Sequence, residues 1–296
     1  MKVFVTGGTG FIGKYVVKKL ECEGHNILLL SRKPAIATKK VKTFVGNLAD
    51  IDRWKNKVKH FKPQATIHMA WEGLPDYGAV VSIKNLEYGL DLINMLTEIG
   101  CKRIICTGSC WEYGQKQGKV SEESPVEPLN AFSASKNALY WLGRELAREN
   151  DIAFIWTRIF YVYGPGQRQT SLIPYIISCA KGNKKPVIKN PFAKNDFVYV
   201  EDVAAAISMI LKNCEQSRIY NIGSGYSVRV KDIVRMIYDN FGLEYEDNST
   251  SESFVDFWAD ISKINRDLGW EPKIDINEGI QRMIESKVVK KCMCLP

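Results

Sequence analysis

The sequence predicts an α/β fold: a doubly wound parallel Rossmann sheet with a smaller C-terminal substrate lobe. Three observations carry this. The chain opens on an apolar run, Lys2–Thr6, followed by a glycine turn and an amphipathic helix. Strand-like and helix-like segments then alternate as far as Phe160, and alternation at this spacing implies parallel strands joined by crossover helices. Past Gly164-Pro165-Gly166 the alternation breaks down.

Taken in order, the first helix runs to Glu23 and stops at Gly24, a residue suited to a helix C-terminus. Strands follow at Asn26–Ser31 and Thr43–Val45, then a helix over Asp50–His60. Ala65–Ala70 is a buried strand, Ile83–Glu98 a helix ended by Gly100, and Lys102–Thr107 a strand. Ala131–Glu149 is a helix and Ile152–Phe160 a strand. Beyond them Pro174, Pro186 and Pro191 interrupt the pattern, with short helices at Val203–Leu211, Lys231–Asn240 and Asn277–Ser286. The expected division is a dinucleotide-binding domain over 1–165, with 197–222 returning to it, and a smaller lobe over 166–296. Ligands in such sheets sit at the carboxyl ends of the strands, where a second lobe can close over them.

Composition narrows the function classes. Hydrophobic residues make up 45% and charged residues 25% of 296 residues, ordinary globular usage. No apolar stretch is long enough to span a bilayer, and the first residues lack the pattern of a signal peptide. A cytoplasmic location and no membrane partner are therefore expected. The net charge is +8, yet the lysines are spread along the chain without interleaved aromatic residues, which argues against nucleic acid. Eight cysteines lie mostly within apolar segments, as reduced buried thiols do; Cys292 and Cys294 have no second cluster to complete a metal site, so no metal is expected.

The strongest local signal is Thr6-Gly7-Gly8-Thr9-Gly10-Phe11-Ile12-Gly13, directly after a strand and opening a helix. Gly7, Gly10 and Gly13 allow a tight turn and close approach of backbone to a pyrophosphate. The helix start at Phe11, Ile12 and Gly13 supplies N–H donors and a positive dipole end. At the end of the second strand, NAD sites usually carry an acid for the ribose 2′-hydroxyl. Here Ser31-Arg32-Lys33 stand instead, and Arg32 is suited to a 2′-phosphate. NADP(H) is accordingly expected over NAD(H).

Further motifs follow in order: Gly46-Asn47-Leu48, Ile67-His68-Met69-Ala70, Ser109-x-x-x-Tyr113-Gly114, Ser135-Lys136, Tyr163-Gly164-Pro165-Gly166, Asp196-Phe197-Val198-Tyr199-Val200-Glu201-Asp202-Val203 and Tyr220-Asn221-Ile222-Gly223-Ser224-Gly225. Together with the glycine loop they resemble the extended short-chain dehydrogenase/reductase family, from Met1 to about Ile284. The resemblance implies a nucleotide-sugar epimerase, dehydratase or reductase. It places Asn47 and Leu48 beside the adenine and Ala70 at the cofactor. It gives Ser109 the substrate-binding hydroxyl and Lys136 the lysine that steers a catalytic phenol and holds the nicotinamide ribose. The family's tyrosine, four residues before that lysine, is Phe132 here. Phenylalanine fills the same space without an ionisable proton. Of two readings, an engineered Tyr-to-Phe change that inactivates the chain or a natural chain with another donor, the first is expected, since the motifs around Phe132 are otherwise intact. Tyr113 lies near Ser109 in sequence, and Tyr140 two helical turns along from Phe132.

Dehydratases of the family carry Thr-Asp-Glu where Ser109-Cys110-Trp111 stand, so the acid and base for elimination are missing. The stretches His68–Tyr77, Ser109–Gly114 and Arg158–Gly164, with Tyr161 where epimerases more often have Asn, resemble reductases of nucleoside-diphosphate 4-keto-6-deoxyhexoses. An NADPH-dependent 4-ketoreductase is thus expected. A 4-epimerase is the alternative, and a non-catalytic cofactor-binding protein the alternative of another class. Gln167, Arg168 and Ser171 fall in the loop that meets the nucleotide diphosphate in the family. The Arg that the family usually carries just before the Asp196-Phe197-Val198-Tyr199-Val200 motif is replaced by Asn195, with Lys194 adjacent. Trp71 and Trp111 either wall the sugar or pack the core. The resemblance also implies a homodimer through the helices at Ile83–Glu98 and Ala131–Glu149, with Leu92, Leu96, Leu139 and Leu142 facing either inward or the partner.

Overall fold

A computed structural model describes residues 1–245 and 256–286. The expectation for Cys292 and Cys294 lies outside those residues. The chain runs β1 (Lys2–Thr6), α1 (Phe11–Cys22), β2 (Asn26–Ser31), β3 (Val41–Val45), α2 (Ile51–Phe61), β4 (Ala65–His68), α3 (Ala79–Glu98) and β5 (Arg103–Ser109). It continues β6 (Gln117–Val120), α4 (Ala131–Glu149), β7 (Ala153–Ile159), β8 (Tyr161–Tyr163), α5 (Leu172–Lys181), β9 (Lys194–Asn195), β10 (Phe197–Tyr199) and α6 (Val200–Asn213). The last elements are β11 (Arg218–Ile222), β12 (Val228–Arg229), α7 (Val230–Asp239), β13 (Asp256–Ala259), α8 (Ser262–Leu268) and α9 (Ile276–Glu285).

Seven parallel strands form the main sheet in the order β11-β7-β5-β4-β1-β2-β3. The chain reverses direction across the sheet between β1 and β4, so a crevice opens beyond their carboxyl ends. Apolar side chains cover both faces, as parallel strands require. On one face Val16 and Leu20 of α1 pack with Val203, Ile207 and Ile210 of α6; on the other, Trp54 and Val58 of α2 pack with Leu92, Leu96 and Leu139 of α3 and α4. The β10-β8 pair sits with α5, α7 and α9 around a separate apolar cluster containing Ile176, Ile233, Ile237 and Ile280, while β6 and β13 of the sheet β12-β9-β13-β6 border another with Tyr113 and Phe160.

Three differences from the sequence reading have clear causes. Pro174 marks no interruption: it is the third residue of α5, where a backbone N–H has no helical acceptor to lose. Helix α3 starts at Ala79 rather than Ile83, since its first turn leaves Val80 70% exposed and so breaks the apolar period. β6, β9, β12 and β13 were not anticipated. Strands of two to four residues carry no readable alternation, and their partners are distant, as in Asp256–Ala259 beside Gln117–Val120.

Candidate active site

The glycine turn works by lack of volume. Gly7 has φ +74°, and a Cβ there would stand 2.5 Å from the Ala70 nitrogen; one on Gly13 would stand 2.1 Å from the Gly7 carbonyl oxygen. The loop, the start of α1 and the end of β4 therefore meet backbone to backbone. The Gly10 amide donates to the Gly7 carbonyl and the Lys14 amide to that of Gly10. The N–H groups of Phe11, Ile12 and Gly13 come before the first helical acceptor and remain for an anion.

A cavity of about 520 Å³ opens over this loop. Gly7, Gly10, Phe11, Ile12, Gly13, Ser31, Arg32, Leu48, Ala70, Trp71, Gln167, Arg168 and Ser171 all line it. Two predicted cofactor residues are not in its lining: Lys136 lies deeper, and Asn47 caps the 3₁₀ turn Leu48–Asp50 by accepting the Ala49 amide at 3.1 Å, while its carbonyl holds the Trp54 indole at 2.7 Å. Its neighbours Gly46 and Leu48 contribute to the cavity wall instead. A glycine cradle, free helix-start amides and an apolar adenine-sized wall fit a dinucleotide.

Arg32 does not stand alone, although the end of β2 carries no acid in sequence. Glu72, on the loop after β4, lies 3.6 Å from its guanidinium and lines the same cavity. Buried Asn85 fixes that loop, accepting the Glu72 amide at 2.7 Å and donating to the Glu72 carbonyl at 3.1 Å. The acid comes from forty residues beyond β2, where a motif reading does not look.

Deeper in, Lys136 is buried on α4, donates to the Thr107 carbonyl at 2.7 Å and holds its ammonium 4.2 Å from the centre of the Trp71 ring. Burial pulls its pKa down to about 8. Burial also takes His68 down to about 3, with the Lys136 charge acting the same way, so this histidine is neutral and bonded to Thr6. Ser109 ends β5; its oxygen accepts the Trp111 amide, and Glu112 accepts the Ser109 amide at 2.8 Å. Ser109-x-x-Glu112 is a capping box whose spacing is visible in the sequence. Glu112 is fully buried on Arg158 at 3.0 Å and the Trp156 indole at 3.1 Å; burial pushes its carboxyl up while the guanidinium opposes.

Phe132 is closed in by rings. Trp71 lies 5.1 Å from it, Tyr77 5.4 Å and Trp111 5.9 Å, all edge to face. Trp71 and Trp111 thus belong to one cluster around the tyrosine position. The two spare phenols are placed otherwise. Tyr113 is fully buried and donates to Asn221 at 2.7 Å, and Tyr140 packs on Trp141 and Trp156. Tyr161 lines a second cavity, about 500 Å³, with Tyr175, Lys189, Asn190 and Asn195. Lys194 is tied to Asp256 at 2.7 Å, whereas Arg168 is exposed and unpaired among the described residues. No group of three or more His, Cys, Asp or Glu among the described residues is placed to hold a metal.

Comparison with known proteins agrees with this architecture. Residues 3–223 match the NAD dependent epimerase/dehydratase family, to which the chain belongs. It is 27% identical to the dTDP-D-glucose 4,6-dehydratase of Mus musculus, over 96% of this chain and 88% of that protein. It is 26% identical to the CDP-abequose synthase of Salmonella muenchen, over 97% and 98%. Among solved structures, MoeE5 in complex with UDP-glucuronic acid and NAD superposes with a TM-score of 0.84 at 25% identity, over 96% and 98%. The UDP-glucose 4-epimerase of Thermotoga maritima shares the fold at a TM-score of 0.86 and 21% identity, over 96% and 98%.

Proposed function

We propose that this protein is an NADPH-dependent reductase of the 4-keto group of a nucleotide-linked 6-deoxyhexose, acting as a homodimer. The observation that carries the reading is the ring cluster. Where elimination of water needs an acid and a base, the chain has Cys110, a buried thiol whose pKa burial pushes up, and Trp111, locked edge to face on Phe132. Neither moves a proton at neutral pH. What remains is equipment for hydride transfer: the glycine cradle, Ser109 and Lys136. The nicotinamide supplies the hydride. Lys136 would hold the ribose beside it, and Ser109, whose oxygen already accepts the Trp111 amide, has a proton to offer a sugar oxygen. Tyr161, Asn190 and Asn195 offer polar groups for the nucleotide, and Arg168 a free cation for its diphosphate. Similarity to a CDP-abequose synthase over nearly the full length of both proteins supports sugar-nucleotide chemistry. The test is NADPH oxidation, followed at 340 nm, across a panel of nucleoside-diphosphate 4-keto-6-deoxysugars. Turnover of at least one panel member is expected. Interconversion of 4-epimers with no net oxidation would instead mark an epimerase.

Cofactor choice follows from Arg32. Its guanidinium can take a 2′-phosphate through charge-assisted hydrogen bonds once Glu72 is displaced. Replacing Arg32 by Asp is expected to weaken NADPH binding by roughly 1.5–3 kcal/mol and to change NADH binding little, as read by calorimetry. Equal losses for both cofactors would refute the assignment. Glu72→Gln should act oppositely, tightening NADPH alone.

A further inference from the structure

We propose that Tyr77 is the proton donor to the reduced sugar oxygen, taking the part that Phe132 cannot play. The inference rests on the reductase reading and departs from the expectation that Phe132 disables the chain. Its basis is placement. Tyr77 is the one phenol in ring contact with Phe132 among the described residues, at 5.4 Å, and it also touches Trp111 at 5.0 Å. The other phenols near the site are placed otherwise: Tyr113 donates to Asn221, Tyr15 to the Pro165 carbonyl, and Tyr161 opens on the second cavity. The Tyr77 hydroxyl has no hydrogen-bond partner among the described residues, and the residue is only partly buried.

The loop that carries Tyr77 is held rather than loose. Asn85 pins it at Glu72, the Asp76 amide donates to the Gly73 carbonyl at 2.9 Å, and the Asp76 carboxylate accepts the Gly78 amide at 2.8 Å. The same cluster runs from Tyr77 through Phe132 to Trp71, over which the Lys136 ammonium sits. The phenol therefore stands one ring's width from the position where the family keeps its tyrosine, on the side reached by this loop. The step balances. As hydride adds to the carbonyl carbon, the carbonyl π pair moves onto oxygen, and that oxygen takes the Tyr77 hydroxyl proton. The phenolate regains a proton from water, since Tyr77 is not sealed from solvent.

Tyr77→Phe tests this cleanly because it keeps the ring and removes only the hydroxyl. The chain as it stands is expected to turn over a panel ketosugar. Tyr77→Phe is expected to lower kcat by ~10²–10⁴-fold, as loss of a positioned acid does. Calorimetric binding of NADPH and of the parent nucleoside diphosphate should be unchanged. The double variant Tyr77→Phe with Phe132→Tyr should recover much of the rate, which a merely structural defect would not allow. A native chain that is active and stays within about threefold on Tyr77→Phe overturns the inference and leaves the reductase reading intact. So does a native chain that is inert until Phe132→Tyr is introduced. If neither the native chain nor Phe132→Tyr oxidises NADPH with any ketosugar, the reductase reading falls and this inference falls with it.

Discussion

At the scale of single residues, Lys136 is the group on which fold and function disagree. The fold buries an ammonium against Trp71 with one carbonyl to satisfy it, and its pKa drops to about 8 from 10.5. Held charged at neutral pH, it costs on the order of 3 kcal/mol of folding stability. Cofactor binding is the natural return, since it places negative charge and ribose hydroxyls in the cavity bordered by Trp71 and Thr107. The sign of the pH dependence is fixed. Between pH 8 and 10.5 the unfolded chain holds a proton that the folded chain has released, so the contribution of this residue to stability rises with pH. Lys136→Met removes the titration while keeping the length. The stability of the native chain relative to Lys136→Met should therefore climb by up to about 3 kcal/mol from pH 7.5 to 10.5, as measured by urea unfolding without cofactor. A difference that stays flat across this range would mean that the lysine titrates normally.

At the scale of elements, what was legible followed from the physics of each segment. β1, β2, β4, β5 and β7 are buried on both faces, so each reads as an apolar run whose length separates it from a helix. The glycine loop was legible because its turn, its helix start and its close approach to β4 all need the same residue type. Much of the predicted cofactor set accordingly lines one cavity. The second half was opaque for opposite reasons. β9 and β13 exist through partners far away in sequence, and α5 hides a proline in its first turn. The site residues missed, Glu72 and Tyr77, share a cause. Both lie on the 71–78 loop, whose sequence carries no periodicity and whose shape is set by tertiary hydrogen bonds to Asn85. Glu112 differs, since its capping-box spacing was on view; only its burial on Arg158 needed the structure.

At the scale of the whole molecule, the question is what covers the outer faces of α3 and α4. Leu92, Leu96 and Leu139 settle inward, at 1% exposure or less, and serve the core. Leu142 does not; it is half exposed, as are Trp141 beside it and Ile83 on α3, while Val80 is more exposed still. Two neighbouring helices that together leave four large apolar side chains in water gain by pairing with a second copy of themselves, since a two-fold axis places like on like. Such a contact builds a four-helix layer, and a stable one covers about 1,200–2,000 Å² in total. The native chain should therefore scatter light as a species of about twice 33.6 kDa at tens of micromolar. Introducing Trp141→Glu together with Leu142→Glu sets like charges against each other across the axis, twice over, and removes the largest apolar area. Dissociation should become at least about 100-fold easier, by the few kcal/mol that uncompensated charges cost at an interface. The monomer should keep its circular dichroism, because both side chains already face solvent within the subunit. A native chain that is monomeric at these concentrations would refute this assembly, as would a double variant that still dimerises.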